Sequence, residues 1–420
     1  RLMIKRILVV VLITITTSAF AQEGNSSPYS FYGLGLSNFK GSIENQAMGG
    51  LSILGDSIHT HFRNPAGYGA LKLTNFTIAG SHREVNLESD NQTGSTTSTT
   101  IDYLSLAFPV SKRVGVGFGL IPETSVDYEI FEGDDEALSQ YTGRGGVNRA
   151  YLAAGVELFK GFRIGAEGSY NFGSIKNESI QANVDQQYSV LEINESDVSG
   201  FTYNLGAQFE TTLTRDYKIF TSASFQPETT LTLENERALE SVIYSRLDNA
   251  VIGVVDSQDI PVRDTEFINP NTYSFGLGTG QVNKWFAGGQ IEFSETSKMT
   301  NRAFNIANAS YEDSFKYRLG GYLVPDYNSL TSYWNRVTYR VGARYEESGL
   351  LIENQSIDEF GISFGLGLPL GRGFSNANIT FEYGQRGTTT AGLVKEDFFK
   401  VGLSLSLNPL RPWFVPNKYN

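Results

Sequence analysis

The 420-residue chain predicts an all-β fold, a transmembrane antiparallel β-barrel of about fourteen strands with an N-terminal plug (hatch) inside its lumen. The first observation behind this is a two-residue rhythm. Phe399, Val401, Leu403, Leu405 and Leu407 alternate with Lys400, Gly402, Ser404, Ser406 and Asn408. Phe360, Ile362, Phe364, Leu366 and Leu368 alternate with Gly361, Ser363, Gly365 and Gly367, and Phe201, Tyr203, Leu205, Ala207 and Phe209 stand between small or polar residues. Successive side chains of a strand point to opposite faces, so each segment is a ribbon with one oily and one wet face. Closed with the oil outward, such ribbons make a membrane barrel. The second observation is composition. At 40% hydrophobic residues and a mean hydropathy of -0.22, the mature chain has no run that could cross as a helix, which needs roughly 20 mostly apolar residues. The 44 Gly, 22 Tyr and 28 Phe suit glycine-lined walls and interfacial aromatic girdles. The third observation is that short and long connections alternate.

Taken in order, Lys5 and Arg6 precede the apolar run Ile7 to Ile15, and Ala19-Phe20-Ala21 before Gln22 is a small-x-small cleavage site. Residues 1–21 therefore predict a secretory signal peptide. Loss of that segment, with its three basic residues and no acidic one, takes the net charge from -12 to -15. So acidic a chain argues against nucleic-acid binding, which needs clustered Lys and Arg. With no cysteine there is no disulfide framework, thiol nucleophile, thiolate metal site or lipidated N-terminus.

Residues 22–71 do not alternate; their glycine, proline and small-residue punctuation predicts a compact irregular plug. The barrel is expected over 72–408. Its strands fall near 72–88, 99–110, 113–130, 140–158, 162–180, 200–213, 217–235, 271–282, 284–297, 313–325, 335–351, 357–370, 376–389 and 395–408. Short turns are expected at Ser111-Lys112-Arg113, Lys160-Gly161-Phe162, Thr214-Arg215-Asp216 and Asn283-Lys284, and long polar loops at 89–98, 131–139, 181–199, 236–270, 298–312 and 352–356. Outer-membrane barrels have short periplasmic turns and long extracellular loops, so both termini are expected in the periplasm of a Gram-negative cell, with 409–420 a periplasmic tail. The turn from Asp326 to Trp334 is the one long connection on that side. A soluble two-sheet sandwich also alternates, but a chain of this length would split into domains of roughly 100–150 residues, and no linker is visible. No fixed 20–50-residue repeat marks a propeller.

The segment Ser27-Pro28-Tyr29-Ser30-Phe31-Tyr32-Gly33-Leu34-Gly35, then Ala47-Met48-Gly49-Gly50-Leu51-Ser52, then Asn64-Pro65-Ala66-Gly67-Tyr68-Gly69-Ala70-Leu71 leads straight into the first strand. In this it resembles the FadL-type long-chain fatty-acid and hydrocarbon transporters of the outer membrane. The opening Ser-Pro-Tyr-Ser and the closing Trp413-Phe414 before Lys418 are similar to an outer-membrane branch of that family. The resemblance implies a hatch folded inside a fourteen-stranded barrel, with Asn64, Pro65, Ala66 and Gly67 marking the passage from plug to wall. Physically, Pro65 fixes φ and holds Asn64 extended, while the Asn64 side chain can bond its own backbone two residues on, so the motif itself reads as a turn.

Catalytic and metal chemistry find little support. Asp56, His59 and His61 lie close together, but a third convincing ligand is missing. Glu132, Asp134, Asp135 and Glu136 lack EF-hand spacing. Gly276, Gly278 and Gly280 sit in a strand without a crossover helix, so they are wall glycines rather than a phosphate loop. Ser81 and His82 are adjacent on a strand and face opposite ways, and no Gly-x-Ser-x-Gly elbow is present. No enzyme activity and no cofactor are expected. The inward charges carry more weight. Alternation turns Arg318 and Lys316, and Arg340 and Arg344 with Thr338 and Glu346, into the lumen, together with Glu167, Glu210, Glu292 and Glu382. Such charges either hold the plug or form a constriction that meets a ligand headgroup.

The resemblance implies passive uptake of small hydrophobic molecules, fatty acids or aromatic hydrocarbons, through the plugged barrel, with outer-membrane lipid as surroundings. The alternative is a non-transporting subunit or shuttle of a larger outer-membrane secretion or assembly machine. The apolar residues Val242, Ile243, Tyr244, Val251, Ile252, Val254 and Val255 in the predicted 236–270 loop suit a protein partner or a lid.

Overall fold

The computed structural model describes residues 27–409 apart from 135, 215, 247–248, 300–307 and 372–373. The expected signal peptide and the Trp413, Phe414 and Lys418 tail lie outside the described residues. The wall consists of β1 (Asn75–Glu88), β2 (Thr93–Pro109), β3 in two halves (Val114–Pro122 and Thr124–Gly133), β4 in two halves (Ala137–Gly145 and Asn148–Phe159), β5 (Phe162–Asn183), β6 (Ser189–Thr212) and β7 in two halves (Lys218–Gln226 and Thr229–Ser245). It continues through β8 (Thr272–Gln281), β9 (Trp285–Ser294), β10 (Ser314–Leu323), β11 (Thr338–Ile352), β12 (Gln355–Pro369), β13 (Asn376–Arg386) and β14 (Lys395–Leu407). Neighbours pair antiparallel, and β14 returns to β1 with Leu403 opposite Gly80, so the sheet closes as a fourteen-stranded barrel.

All fourteen predicted strands are present, but two expected loops shrink to turns, 89–98 to 89–92 and 131–139 to 134–136, and three more are not loops. β5 and β6 run on through most of 181–199. β7 continues to Ser245 and turns back as Ala250–Ile260, so 236–270 is largely a β-hairpin followed by Thr265–Asn269 on the same strand. A small core of Ile180, Leu191 and Val242, with Ile193, Tyr244 and Val251 against it, holds this plate together. Charged and polar residues interrupt both faces of these strands, as in Glu192, Asn194, Glu195 and Ser196, which masks the alternation. The expected loop 352–356 is a two-residue turn, since Ile352 pairs Gln355 and both Glu353 and Asn354 take positive φ, the geometry of a tight hairpin.

The outer face is apolar where alternation places it: Leu403 is 54% exposed, and Leu152, Phe275, Leu319, Val341, Ile362 and Phe399 are exposed with it. Leu403→Arg should therefore cost about 2–4 kcal/mol in a lipid-vesicle folding titration, whereas Ser224→Arg, facing the lumen, should cost far less. Gly365 faces inward as expected but is a poor inward control. A Cβ there would stand 2.4 Å from that of Ala47, so a larger residue displaces the segment inside.

Residues 27–71 pack on the inward faces of the wall. Ser42 caps a one-turn helix, α1 (Ile43–Gln46), in a reciprocal capping box with Asn45. The chain then turns at Gly49 and Gly50, both at positive φ. Glycines on the wall make room for this path. Cβ atoms at Gly320 and Gly342 would stand 2.4 and 2.1 Å from Met48 and Gly49 backbone, and at Gly155 and Gly165 2.6 and 2.3 Å from Pro65. The abundant wall glycines thus have a packing cause: backbone meets backbone across the lumen.

Candidate functional site

The Asn64 to Gly67 motif does more than turn. Asn64 Oδ1 accepts from the Ala66 amide at 3.1 Å, capping the 3-10 turn Pro65–Ala70, while its Nδ2 donates to the carbonyls of Ala207 on β6 and Ala223 on β7 at 3.2 and 3.1 Å. Pro65 and Ala66 are buried against β4 and β5, and the Tyr68 ring lies over Gly117. Gly67 leaves room for the His61 ring. One short motif thus caps itself and ties two wall strands.

All seven predicted lumen charges face inward, and nearly all are committed to partners. Arg344 pairs with Glu346 at 3.1 Å, with Glu382 at 2.6 Å and with Glu359. Arg318 pairs with Glu292 at 3.2 Å and Glu346 at 3.8 Å, and Lys316 with Glu346 at 3.2 Å. Glu167 accepts from Arg149 at 3.2 Å, and Glu210 lies 3.3 Å from both Arg163 and Lys218. Arg340 donates to Asn378 at 3.1 Å. The N-terminal segment joins the network: Arg63 pairs with Glu292, Gln46 donates to Glu382 at 2.6 Å, and Glu44 accepts from Asn378 at 2.5 Å. These charges hold wall to wall and wall to segment. Arg63, Arg83, Arg149, Arg386, Glu359 and Glu396 belong to the same lumen but were not singled out by the sequence reading. Alternation on their strands would have found all but Arg63.

Among the described residues the wall is complete except in one place. β2 pairs with β1 along its whole length but with β3 only from Leu104 to Pro109, opposite Leu120 to Gly115. Beyond Pro122, which has no N–H to continue the ladder, the second half of β3 swings inward. The amides of Glu123 and Thr124 both bond the Val147 carbonyl, at 2.7 and 3.1 Å, across the break in β4. The freed edge is taken by the N-terminal segment: Leu36 and Ser37 pair with Ser125 and Thr124, the Ser27 amide donates to the Asp127 carbonyl and that of Asn38 to Glu123, each at 2.9 Å. Glu123 is fixed by Lys40 and by Arg149 at 3.4 Å. Among the described residues nothing pairs with Thr93–Tyr103 on this side.

A cavity of about 1040 Å³ occupies the lumen beside this gap. It is bounded by inward residues such as Arg83, Ser98, Arg318 and Glu382, and also by Ile101, Leu104 and Leu120, which lie on the outer face and are 54%, 43% and 42% exposed. The lining of this space thus includes residues of both faces of the wall.

Among the described residues no group of three or more His, Cys, Asp or Glu can hold a metal ion. Asp56, His59 and His61 have other work. His59 lies 2.6 Å from Asp56 and 3.6 Å from Glu44, and His61 Nε2 accepts from the Asp56 amide at 3.1 Å. Burial alone lowers the His59 pKa, but the Asp56 and Glu44 carboxylates outweigh it and push the imidazole up to about 9. A folded pKa above the unfolded one stabilises fully below about pH 6.5 and is lost as pH rises through 9. Because the Asp56 side chain is 41% exposed, the effect is about 1–2 kcal/mol. Protease protection of residues 27–71 should fall between pH 6.5 and 9 in the wild type and stay flat in His59→Gln.

Solved structures share this fold at low identity. The toluene transporter TbuX of Ralstonia pickettii aligns with a TM-score of 0.57 at 12% identity over 88% of this chain and 99% of its own. A FadL homologue of Pseudomonas aeruginosa gives 0.56 at 10% over 89% and 98%, and the toluene transporter TodX of Pseudomonas putida 0.55 at 15% over 87% and 97%. No curated protein matches the sequence. The BamG family model matches residues 3–420, and the chain, a closed β-barrel of FadL-type fold, belongs to the BamG family.

Proposed function

We propose that this barrel is a passive outer-membrane channel for small hydrophobic or amphipathic molecules, with residues 27–71 as its plug and the gap between β2 and β3 as the route between lumen and bilayer. The gap carries the reading. An oily solute is repelled by the polar outer leaflet, and a side opening lets it reach lipid without crossing the whole lumen. The likeness to two toluene transporters supports a small hydrophobic solute. On this reading the long hairpins are extracellular and both termini periplasmic. The test is uptake of oleate and of toluene into proteoliposomes: a saturable rate that needs no ion gradient supports the channel, and a rate equal to protein-free vesicles overturns it.

One observation favours a second reading. The outermost strand of the protruding plate, Ala250–Ile260, pairs only with β7 among the described residues and exposes Ile252, Val254 and Val255. An open apolar edge is a template for strand pairing, which suits a subunit of a larger outer-membrane machine. A stoichiometric partner retained in gently solubilised membranes and lost on Val254→Lys, with no probe uptake by the isolated barrel, would favour it.

A further inference from the structure

Residues 324–337, which join β10 to β11, form the longest connection at the short-turn end of the barrel and take no part in the channel. The turn is braced from within. The Asp326 amide donates to the Asn335 carbonyl at 2.8 Å, the Asn328 amide to Asp326 Oδ1 at 3.1 Å and the Ser332 amide to Ser329 Oγ at 3.2 Å. Its large apolar side chains point outward instead of packing. Leu330 is 100% exposed and Trp334 61%, with Tyr327 and Tyr333 exposed beside them. An ordered loop that presents such a cluster calls for something to cover it.

Two hydrogen bonds show which way the turn leans. Tyr339 stands on the outer face of β11, opposite Leu323, and its hydroxyl donates to the Trp334 carbonyl at 3.3 Å. The Tyr333 hydroxyl donates to the Pro369 carbonyl at the end of β12 at 3.1 Å. The turn therefore leans to the lipid-facing side of the wall. It extends a row already present there: Trp285 pairs with Leu323, Leu323 with Tyr339, and Tyr217 meets Trp285 edge-on at 6.2 Å. Trp and Tyr settle at the headgroup level of a bilayer.

Charge completes the surface. The Lys284 carbonyl accepts from the Val324 amide at 2.6 Å, and the Arg336 guanidinium stands over the Tyr333 ring at 5.6 Å, so both cations flank the turn. Among the described residues neither forms an ion pair, and nor do Lys112, Arg113 and Lys160 on other turns of this end. The hairpins of the opposite end carry Asp90, Glu132, Asp134 and Glu136 instead. Unpaired cations beside interfacial aromatics at one end, with acids at the other, match a leaflet of anionic phospholipid.

We propose that the β10–β11 turn is a docking surface for anionic phospholipid in the leaflet at the short-turn end. Leu330, Tyr333 and Trp334 seat among headgroups and upper acyl carbons, and Lys284 and Arg336 meet the phosphates. The contact fixes the height of the barrel in the bilayer at β10 and β11. It rests on the barrel lying in a membrane and is independent of what the lumen carries.

Trp334 reports on the test. In the full-length chain, Trp285→Phe with Trp413→Phe leaves Trp334 as the one indole, and this protein is reconstituted into vesicles of phosphatidylcholine and phosphatidylglycerol. Lipid brominated near the headgroup should quench it more than lipid brominated near the chain end. At equal mole fraction, brominated phosphatidylglycerol should quench as though enriched about fivefold over brominated phosphatidylcholine, the effect of one cation at an anionic surface. Lys284→Gln with Arg336→Gln should remove that enrichment while both lipids still quench. Leu330→Asp should weaken quenching by both lipids and open the indole to aqueous acrylamide, with heat-modifiable migration unchanged because Leu330 is fully exposed. Equal quenching by the two headgroups, or an enrichment that survives the paired Gln substitutions, overturns the anionic site. Quenching of Trp334 by acrylamide and by neither lipid overturns docking on the bilayer and makes the turn a surface for a soluble partner. Uptake is not read in any arm, so the channel reading stands or falls on its own test.

Discussion

Arg344→Ala is expected to destabilise the barrel by about 3–5 kcal/mol, measured as a shift of the unfolding midpoint in guanidinium or as loss of heat-modifiable migration. Arg344 joins three carboxylates from three strands, Glu346 on β11, Glu359 on β12 and Glu382 on β13. Taking it away leaves Glu346 to Lys316 and Arg318, Glu359 to Arg386, and Glu382 to the Gln46 amide. Glu382, 3% exposed, is then left buried with no cation paired to it. Neutralising the excess should rescue it: Arg344→Met combined with Glu382→Gln should recover most of the loss, because a buried pair replaced by matched neutral groups is often nearly cost-free. A single mutant within about 0.5 kcal/mol of wild type would mean that the lumen is wet enough to solvate each carboxylate on its own.

Deletion of residues 27–62 should turn a barrel that conducts little into an open pore in planar bilayers. A fourteen-stranded wall encloses more space than the roughly 8-stranded barrel that wall side chains fill by themselves. The intact lumen is crossed by backbone held at Ser363, where the Gly49 amide donates at 3.0 Å, and at Gln290, which accepts from the Ser52 amide at 2.9 Å. Those contacts, with the pairing of Leu36 and Ser37 on β3, make the segment a fixed obstacle. Removal also frees the edge of β3 and orphans Glu123 from Lys40, so the deletion should widen the side opening as well. Conductance of the deletion equal to that of the intact protein would show that the segment is not what closes the lumen.

The strands were legible because lipid enforces alternation wherever a strand is in the membrane, as in Phe360 to Leu368. In β5 to β7 polar residues break the alternation, and Ser189–Ser199 reads as polar loop although it is paired strand. Inward charge was legible residue by residue for the same reason. Partnership was not: Arg83 and Arg344 look alike in sequence, and only the closed register shows that one meets three carboxylates and the other none. The gap was hidden too. Pro122 is visible, but which ladder breaks beside it depends on Val147 and on the arrival of Leu36 and Ser37 from far along the chain.

The central claim is that the lumen communicates with lipid between β2 and β3. A photo-cross-linking residue at Thr96, on the lumen side of β2 and lining the cavity, tests it in protein reconstituted into bilayers, with Ile101 on the outer face and Ser224, inward on the fully paired β7, as controls. Lipid adducts at Ile101 and Thr96 but not at Ser224 are the predicted result; adducts at Ile101 alone would mean a sealed wall and would contradict the account.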